Sequence, residues 1–230
     1  MTVQPRSLPL SARASLIPRP LHRLSVRTRA LARRWQSDTQ GVAAIEFALI
    51  APLMSVMFIG VIELSQAMAV NRRVGQIANS TGDLVARADT KIQQSDMADI
   101  MNVGGYIMLP YSKTPLQIVI RNVTSSTASA TQTKQSWTCT FTGTTSSTAC
   151  SCTNVTQAIP ANLVSTNDSV VMVTVTYNYK PLTFDYFMKK NLTSVGGIYG
   201  LTQTAYLKPR GQAAMLVLTS GTQCTSPTFP

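Results

Sequence analysis

The chain has 230 residues, of which 44% are hydrophobic and only 13% are charged. That charged fraction is about half of the roughly 25% usual in soluble domains, so some apolar residues are expected to face lipid. The net charge of +11 is unevenly distributed, because residues 1–40 contain eight arginines and a single acid, Asp38. Aromatic residues are scarce within this basic arm, and an apolar run follows the arm directly. The pattern therefore argues against a nucleic-acid-binding domain.

Residues 1–41 are predicted to form a basic cytoplasmic leader. Pro5, Pro9, Pro18 and Pro20 interrupt any early helix. The first 37 residues are also rich in arginine and free of acids, which is typical of mitochondrial transit peptides. A mitochondrial membrane protein with a cleaved transit peptide is therefore an alternative interpretation.

Residues 42–70 are predicted to form a transmembrane helix. The uncharged stretch between Glu46 and Glu63 has 16 residues, and residues 42–45 extend it to about 20 apolar positions, enough to cross the bilayer core. Pro52 is tolerated in such a span, and Glu63 is expected to be a charge at the outer interface. Residues 22–41 contain five arginines and residues 71–90 contain three, which favours a cytoplasmic N-terminus.

The remainder of the chain predicts an α+β fold, in which the long helix precedes an antiparallel, β-rich head outside the cytoplasm. An amphipathic extension of the helix covers residues 71–92, with its apolar stripe at Val70, Val74, Ile77, Thr81, Leu84 and Ala88. The head, residues 93–230, begins with a short helix from Ser95 that the glycines at 104 and 105 are expected to end. Strands are predicted at 116–123, 137–141, 169–179, 201–207 and 213–218, a short helix at 184–191, and exposed loops at 124–136 and 142–157.

Four cysteines, Cys139, Cys150, Cys152 and Cys224, all lie in the head. The only short spacing is Cys-x-Cys and the sole histidine is His22 of the arm, so disulfides are favoured over a metal site. Disulfides require an oxidising compartment, which predicts export of the head. Four cysteines allow three pairings. Because Cys150 and Cys152 are too close to pair easily, each is expected to bond with Cys139 or Cys224.

The head offers no residues for a recognisable catalytic site. No histidine is available there for a Ser/His/Asp or Cys/His arrangement, and no phosphate-binding or dinucleotide motif is present. Asp168 and Asp185 are the only acids after Asp99. The sequence therefore predicts a protein that is not an enzyme and has no cofactor or metal.

One constellation remains, at the boundary between arm and apolar run. Gly41 follows the basic arm, and Glu46 and Phe47 come five and six residues later. A charge inside a membrane helix costs roughly 2.5–3.5 kcal/mol at its centre and less near an interface, so Glu46 calls for an explanation. The string from Gly41 to Pro52 (GVAAIEFALIAP), followed by Gly-Val-Ile-Glu at 60–63, resembles the TadE/TadG-like pseudopilin family of tight-adherence (Flp) pilus systems.

This resemblance implies that a prepilin peptidase cuts between Gly41 and Val42, so that Glu46 becomes the fifth mature residue. It also implies other pseudopilins, the pilus assembly platform and the lipid bilayer as partners. The expected location is the bacterial inner membrane, with the N-terminus in the cytoplasm and the head in the periplasm. A membrane-anchored adhesin module, whose Thr/Ser-rich loops bind an external ligand, is a further alternative.

Overall fold

The computed structural model describes residues 41–181, 198–211, 216–220, 222–224 and 227–229. The predicted arm at 1–40 and the predicted helix at 184–191 lie outside these ranges. The chain divides into two units, Met1–Val56 and Met57–Pro230, and the boundary falls within the first helix. The observed fold is α+β, with a long apolar N-terminal helix, an antiparallel sheet and two disulfides, as the sequence predicted.

Two helices belong to the described chain. Helix α1, Val42–Ala86, continues through Pro52 without a break. Helix α2, Gln94–Ile107, follows the short strand β1, Lys91–Gln93. The prediction that Gly104 and Gly105 end α2 is wrong, because both lie inside it. A Cβ on Gly104 would lie 2.7 Å from Cδ1 of Ile118 and 3.0 Å from Cγ2 of Ile77. The glycine therefore permits close packing instead of ending the helix.

The main sheet has five antiparallel strands in the order β4-β3-β2-β5-β6. Strand β5 coincides with the predicted 169–179, while the strands predicted at 116–123, 137–141 and 201–207 are each observed in longer form. The strands are β2 (Leu116–Ser125), β3 (Thr133–Thr142), β4 (Ser147–Thr156), β5 (Ser169–Tyr179) and β6 (Tyr199–Leu207).

The prediction of an exposed loop at 142–157 is wrong for β4. This strand pairs with β3 over its whole length and forms one edge of the sheet. Most of its positions are exposed, and most of its residues are Ser, Thr or Asn. The sequence therefore has no apolar face there that would indicate a strand. Threonine is nevertheless β-branched and favours an extended backbone. Residues 133–136 of the other predicted loop also belong to a strand, β3.

A second, smaller sheet has the order β1-β7-β8, with β7 at Val217–Ser220 and β8 at Thr222–Gln223. Strand β7 pairs in parallel with β1, so residues 217–218 of the strand predicted at 213–218 belong to this sheet and not to the antiparallel one, while residues 213–215 lie outside the described ranges. The two sheets are connected by a buried hydrogen bond, in which Nε1 of Trp137 donates to the carbonyl oxygen of Leu216 over 2.7 Å.

The core lies between one face of the main sheet and the helices. Ile77 of α1, Met97 and Met101 of α2, Ile120 of β2 and Val173 of β5 are all fully buried in one apolar cluster. The predicted stripe on α1 is correct for Val70, Val74, Ile77 and Thr81 but wrong for Leu84, which is exposed. Val85 is buried instead.

Candidate functional site on the first helix

The bond between Gly41 and Val42 lies at the start of α1. Gly41 precedes the helix and Val42 is its first residue. Both residues are exposed, and a Cβ on Gly41 would meet no atom within 4 Å. The described residues therefore leave this peptide bond open to solvent at a helix boundary. A glycine there also lets another backbone approach closely.

Glu46 lies one helical turn beyond Val42, about 6 Å along the helix axis. Its side chain is exposed, and it is surrounded in sequence by exposed apolar residues, with Phe47 73% exposed. Further along, the hydroxyl of Ser55 donates to the carbonyl oxygen of Ala51 over 2.7 Å, in the turn that contains Pro52. Glu46 is thus the one ionisable group of α1 before Glu63.

The apolar side chains of α1 form an exposed belt. Neither residues 42–56 of the first unit nor residues 57–62 of the second contain a buried residue. Together these 21 residues correspond to about 31 Å of helix, close to the roughly 30 Å of a bilayer core. Among the described residues, α1 is the one helix that is long and apolar enough to cross a membrane. A water-exposed belt of this size is otherwise unfavourable.

Burial on α1 begins at Glu63. This residue is only 8% exposed, and the next buried positions along the helix are Val70, Val74 and Ile77. The sequence predicts that Glu63 is a charge at the outer interface, and the structure shows that this acid is buried. Burial raises the pKa of Tyr179 at the end of β5, and the negative charge of Glu63 and the neighbouring Tyr111 add to the rise. Glu63 lies seven residues before Val70, and this helical spacing is the signal that could have placed it on the buried face.

Two disulfides hold the edge strand β4 of the main sheet. Cys139 of β3 and Cys150 of β4 are directly opposite in the strand register and are bonded. Cys152, two residues along β4, is bonded to Cys224, which follows β8. The expectation that Cys150 and Cys152 have different partners is confirmed, and the pairing left open by the sequence is resolved. The edge strand is thereby attached to both its neighbour and the smaller sheet.

No metal-binding arrangement occurs in the part of the chain that the structure describes: no group of three or more His, Cys, Asp or Glu side chains there could hold an ion. The part of α1 before Glu63 thus offers an exposed peptide bond, one carboxylate and an apolar surface.

These features define a class of protein with one anchor-like apolar helix and a disulfide-stapled α+β head. Within it, residues 41–82 match the family model described as TadE-like protein, so this part of the chain is similar to that family. The match begins at Gly41 and covers both Glu46 and Glu63, which agrees with the resemblance seen in the sequence. No curated protein and no solved structure matches the chain.

Proposed function

We propose that the chain is a pseudopilin that a prepilin peptidase cuts between Gly41 and Val42 and that then takes part in Tad pilus assembly. The TadE-like match of residues 41–82 supports involvement in Tad pilus systems at the level of the family. The observation that carries the proposal for this chain is the position of Gly41: the exposed glycine directly precedes the helix whose fifth residue is Glu46.

The chemistry of the cut chain gives Glu46 a role. Hydrolysis of the Gly41–Val42 bond creates an ammonium on Val42, at the helix end where the macrodipole is already positive. The carboxylate of Glu46 is one turn away, where i and i+4 side chains face each other. In a bilayer, where an isolated charge is costly, Glu46 pairs with this ammonium or with that of a neighbouring copy. The second arrangement would fix the axial position of one subunit against the next.

The membrane arrangement follows from the arm, the belt and the disulfides. Residues 42–62 cross the inner membrane once, and the arginine-rich arm stays in the cytoplasm before it is removed. The head enters the periplasm, where the bonds Cys139–Cys150 and Cys152–Cys224 persist in an oxidising environment. The role is structural, not enzymatic. The partners are the peptidase, other pseudopilins, the assembly platform and the bilayer.

A substitution at the cut site tests the proposal. Gly41→Leu is expected to block processing by a co-expressed prepilin peptidase, because a side chain at this position hinders the close approach of the backbone to the protease. Gly60→Leu introduces the same side chain inside α1, away from the cut site, and is the matched control. The size of the membrane-extracted protein on a gel separates precursor from mature chain. Normal maturation of Gly41→Leu would contradict the assignment of the cut site.

A further inference from the structure

The contacts of α1 with β5 and β6 show which end of the head is nearest the apolar belt. At the start of the buried face, Glu63 is close enough to Tyr179 for its charge to raise the pKa of that tyrosine, which burial already raises. Eight residues further along, the side-chain amide of Gln203 donates to Oδ1 of Asn71 over 3.0 Å. Beyond them, Gly82 contacts Leu207. The end of the head at Tyr179, here called the near end, is therefore next to residues 57–62 of α1, and the end at Leu207, the far end, is remote from them.

The last turn of α2 is also held at this near end. The guanidinium of Arg73 donates to the carbonyl oxygens of Ile107, over 3.0 Å, and of Leu109, and it lies 5.6 Å from the ring centroid of Tyr111. These contacts satisfy carbonyls at the negative end of the α2 dipole. The same contacts hold this segment beside α1. It carries two large exposed side chains, since Tyr106 is 72% exposed and Leu109 is 60% exposed.

The head is charged unevenly along α1. At the near end, Arg72, Lys113 and Lys180 are exposed. Of the acids that the structure describes in the head, only Glu63 lies at this end, and it is buried. The others are at the far end: Asp83 and Asp89 near the end of α1, Asp96 and Asp99 near the start of α2, and Asp168, which pairs with Lys208. The exposed charge of the near end is thus positive.

The near end lies within reach of lipid headgroups. Arg72 is ten residues beyond Ile62, or about 15 Å along α1, and its side chain leans back toward the helix N-terminus and the belt. The headgroup layer extends roughly 5–8 Å beyond the hydrocarbon core. An anionic leaflet attracts cations over about a further Debye length, roughly 8 Å at physiological salt.

We propose that this near end lies on the bilayer surface from which the head projects. Arg72 and Lys113 bind the phosphates of anionic phospholipids, and Tyr106 and Leu109 insert among the headgroups, where an apolar body with a polar tip is favoured. The head is then held against the membrane by a surface contact in addition to its helix. The inference rests on the proposed function only in that residues 42–62 must occupy the bilayer.

Tryptophan quenching in vesicles tests this contact with the full chain. Trp35 is replaced by phenylalanine throughout, and the buried Trp137 supplies a constant background. Tyr106→Trp places a probe at the near end. Val155→Trp places one at another exposed site, at the far end of β4, where Val155 is 56% exposed. A nitroxide on the lipid headgroup in phosphatidylglycerol-containing vesicles is expected to quench Tyr106→Trp several-fold more than Val155→Trp. Equal quenching of the two would overturn the proposal.

Charge variants test the lipid chemistry. Adding Arg72→Ala and Lys113→Ala to the Tyr106→Trp chain is expected to reduce its quenching to the level of Val155→Trp. Arg72→Lys, which keeps the charge, preserves the quenching. Unchanged quenching in the double alanine chain would contradict phosphate binding.

A third probe, Phe58→Trp, separates this inference from the proposed function. Brominated acyl chains quench it if residues 42–62 span the bilayer. Quenching of Phe58→Trp without that of Tyr106→Trp refutes the surface contact alone. Failure of both probes refutes the membrane span as well.

Discussion

Gly82 of α1 lies so close to Leu207 of β6 that a Cβ on Gly82 would collide with Cδ1 of Leu207 and lie 3.2 Å from Cγ2 of Val173. The helix and the sheet therefore approach each other at a residue without a side chain. Gly75, two turns earlier, is different: a Cβ there would be 4.0 Å from Cγ of Gln203, an ordinary contact. Close packing between α1 and the sheet therefore holds the head to this helix in addition to its charged contacts.

Substitution of these two glycines should have opposite effects. Gly82→Leu is expected to destabilise the head by about 1–3 kcal/mol, because the added atoms overpack a filled interface. Gly75→Ala is the control and should leave stability unchanged or raise it slightly, because alanine favours a helix more than glycine. Thermal unfolding of the detergent-solubilised chain by circular dichroism gives both values. A Gly82→Leu protein as stable as the parent would show that the interface is looser than the structure indicates.

Loss of the charge at Glu46 should affect assembly and not insertion. Glu46→Gln removes the carboxylate but keeps its size, so the protein should still reach the membrane while pilus-dependent attachment to a surface falls. Ser55→Ala, which removes another polar group from the same helix, should attach normally. Attachment that is unaffected by Glu46→Gln would indicate that this side chain only reaches back to the headgroups.

The two disulfides should differ in their contribution to stability. Cys152 and Cys224 are 72 residues apart in sequence, and Cys139 and Cys150 are 11 apart. In the chain-entropy account, the longer loop contributes about 4 kcal/mol and the shorter about 3 kcal/mol. Replacing Cys152 and Cys224 together by alanine should therefore lower the midpoint of urea unfolding more than replacing Cys139 and Cys150. The reverse order would mean that packing around the buried Cys139 outweighs loop closure.

The stability of the head should depend on Asp168 in acid. Burial alone would raise the pKa of Asp168, but hydrogen bonds from Lys208 and from the backbone N–H groups of Ser165 and Ser169 outweigh it, and the pKa is lowered. The ionised form is thus favoured in the folded state. Its contribution is fully present above the unfolded value of about 3.9 and is lost as the pH falls through the lower folded pKa.

Asp168→Asn should consequently lower the melting temperature at neutral pH and reduce its dependence on pH below about 4. Asp96→Asn removes an exposed carboxylate from α2 and controls for the change in net charge. If Asp168→Asn and the parent chain lost stability in parallel as the pH fell, the ion pair with Lys208 would not be responsible.

Alternating residues made β5 predictable over its whole length, because Val171, Val173 and Val175 face the core while Thr174 and Thr176 do not. The same reasoning failed for β4, whose polar residues give no such alternation. Its extended form depends on pairing with β3 and on cysteines whose partners are distant in sequence. A strand whose stability comes from its cross-strand neighbours, and not from an apolar face, has only a weak signature in its own residues.

The site on α1 could be predicted from the sequence more completely than the head. Gly41, Val42 and Glu46 form a local pattern that can be read from the sequence, and the helix begins at Val42. The burial of Glu63 was missed because hydropathy treats an acid as exposed. Tyr179, which is far from Glu63 in the sequence, is brought close to it by the fold.

The mature N-terminus is the most direct test of the account. Intact-mass measurement of the chain extracted from its native membrane, followed by N-terminal sequencing, is expected to find a protein that starts at Val42. A start near residues 36–38 would instead indicate removal of a transit peptide. A chain that retained its arginine-rich arm would equally contradict cleavage by a prepilin peptidase.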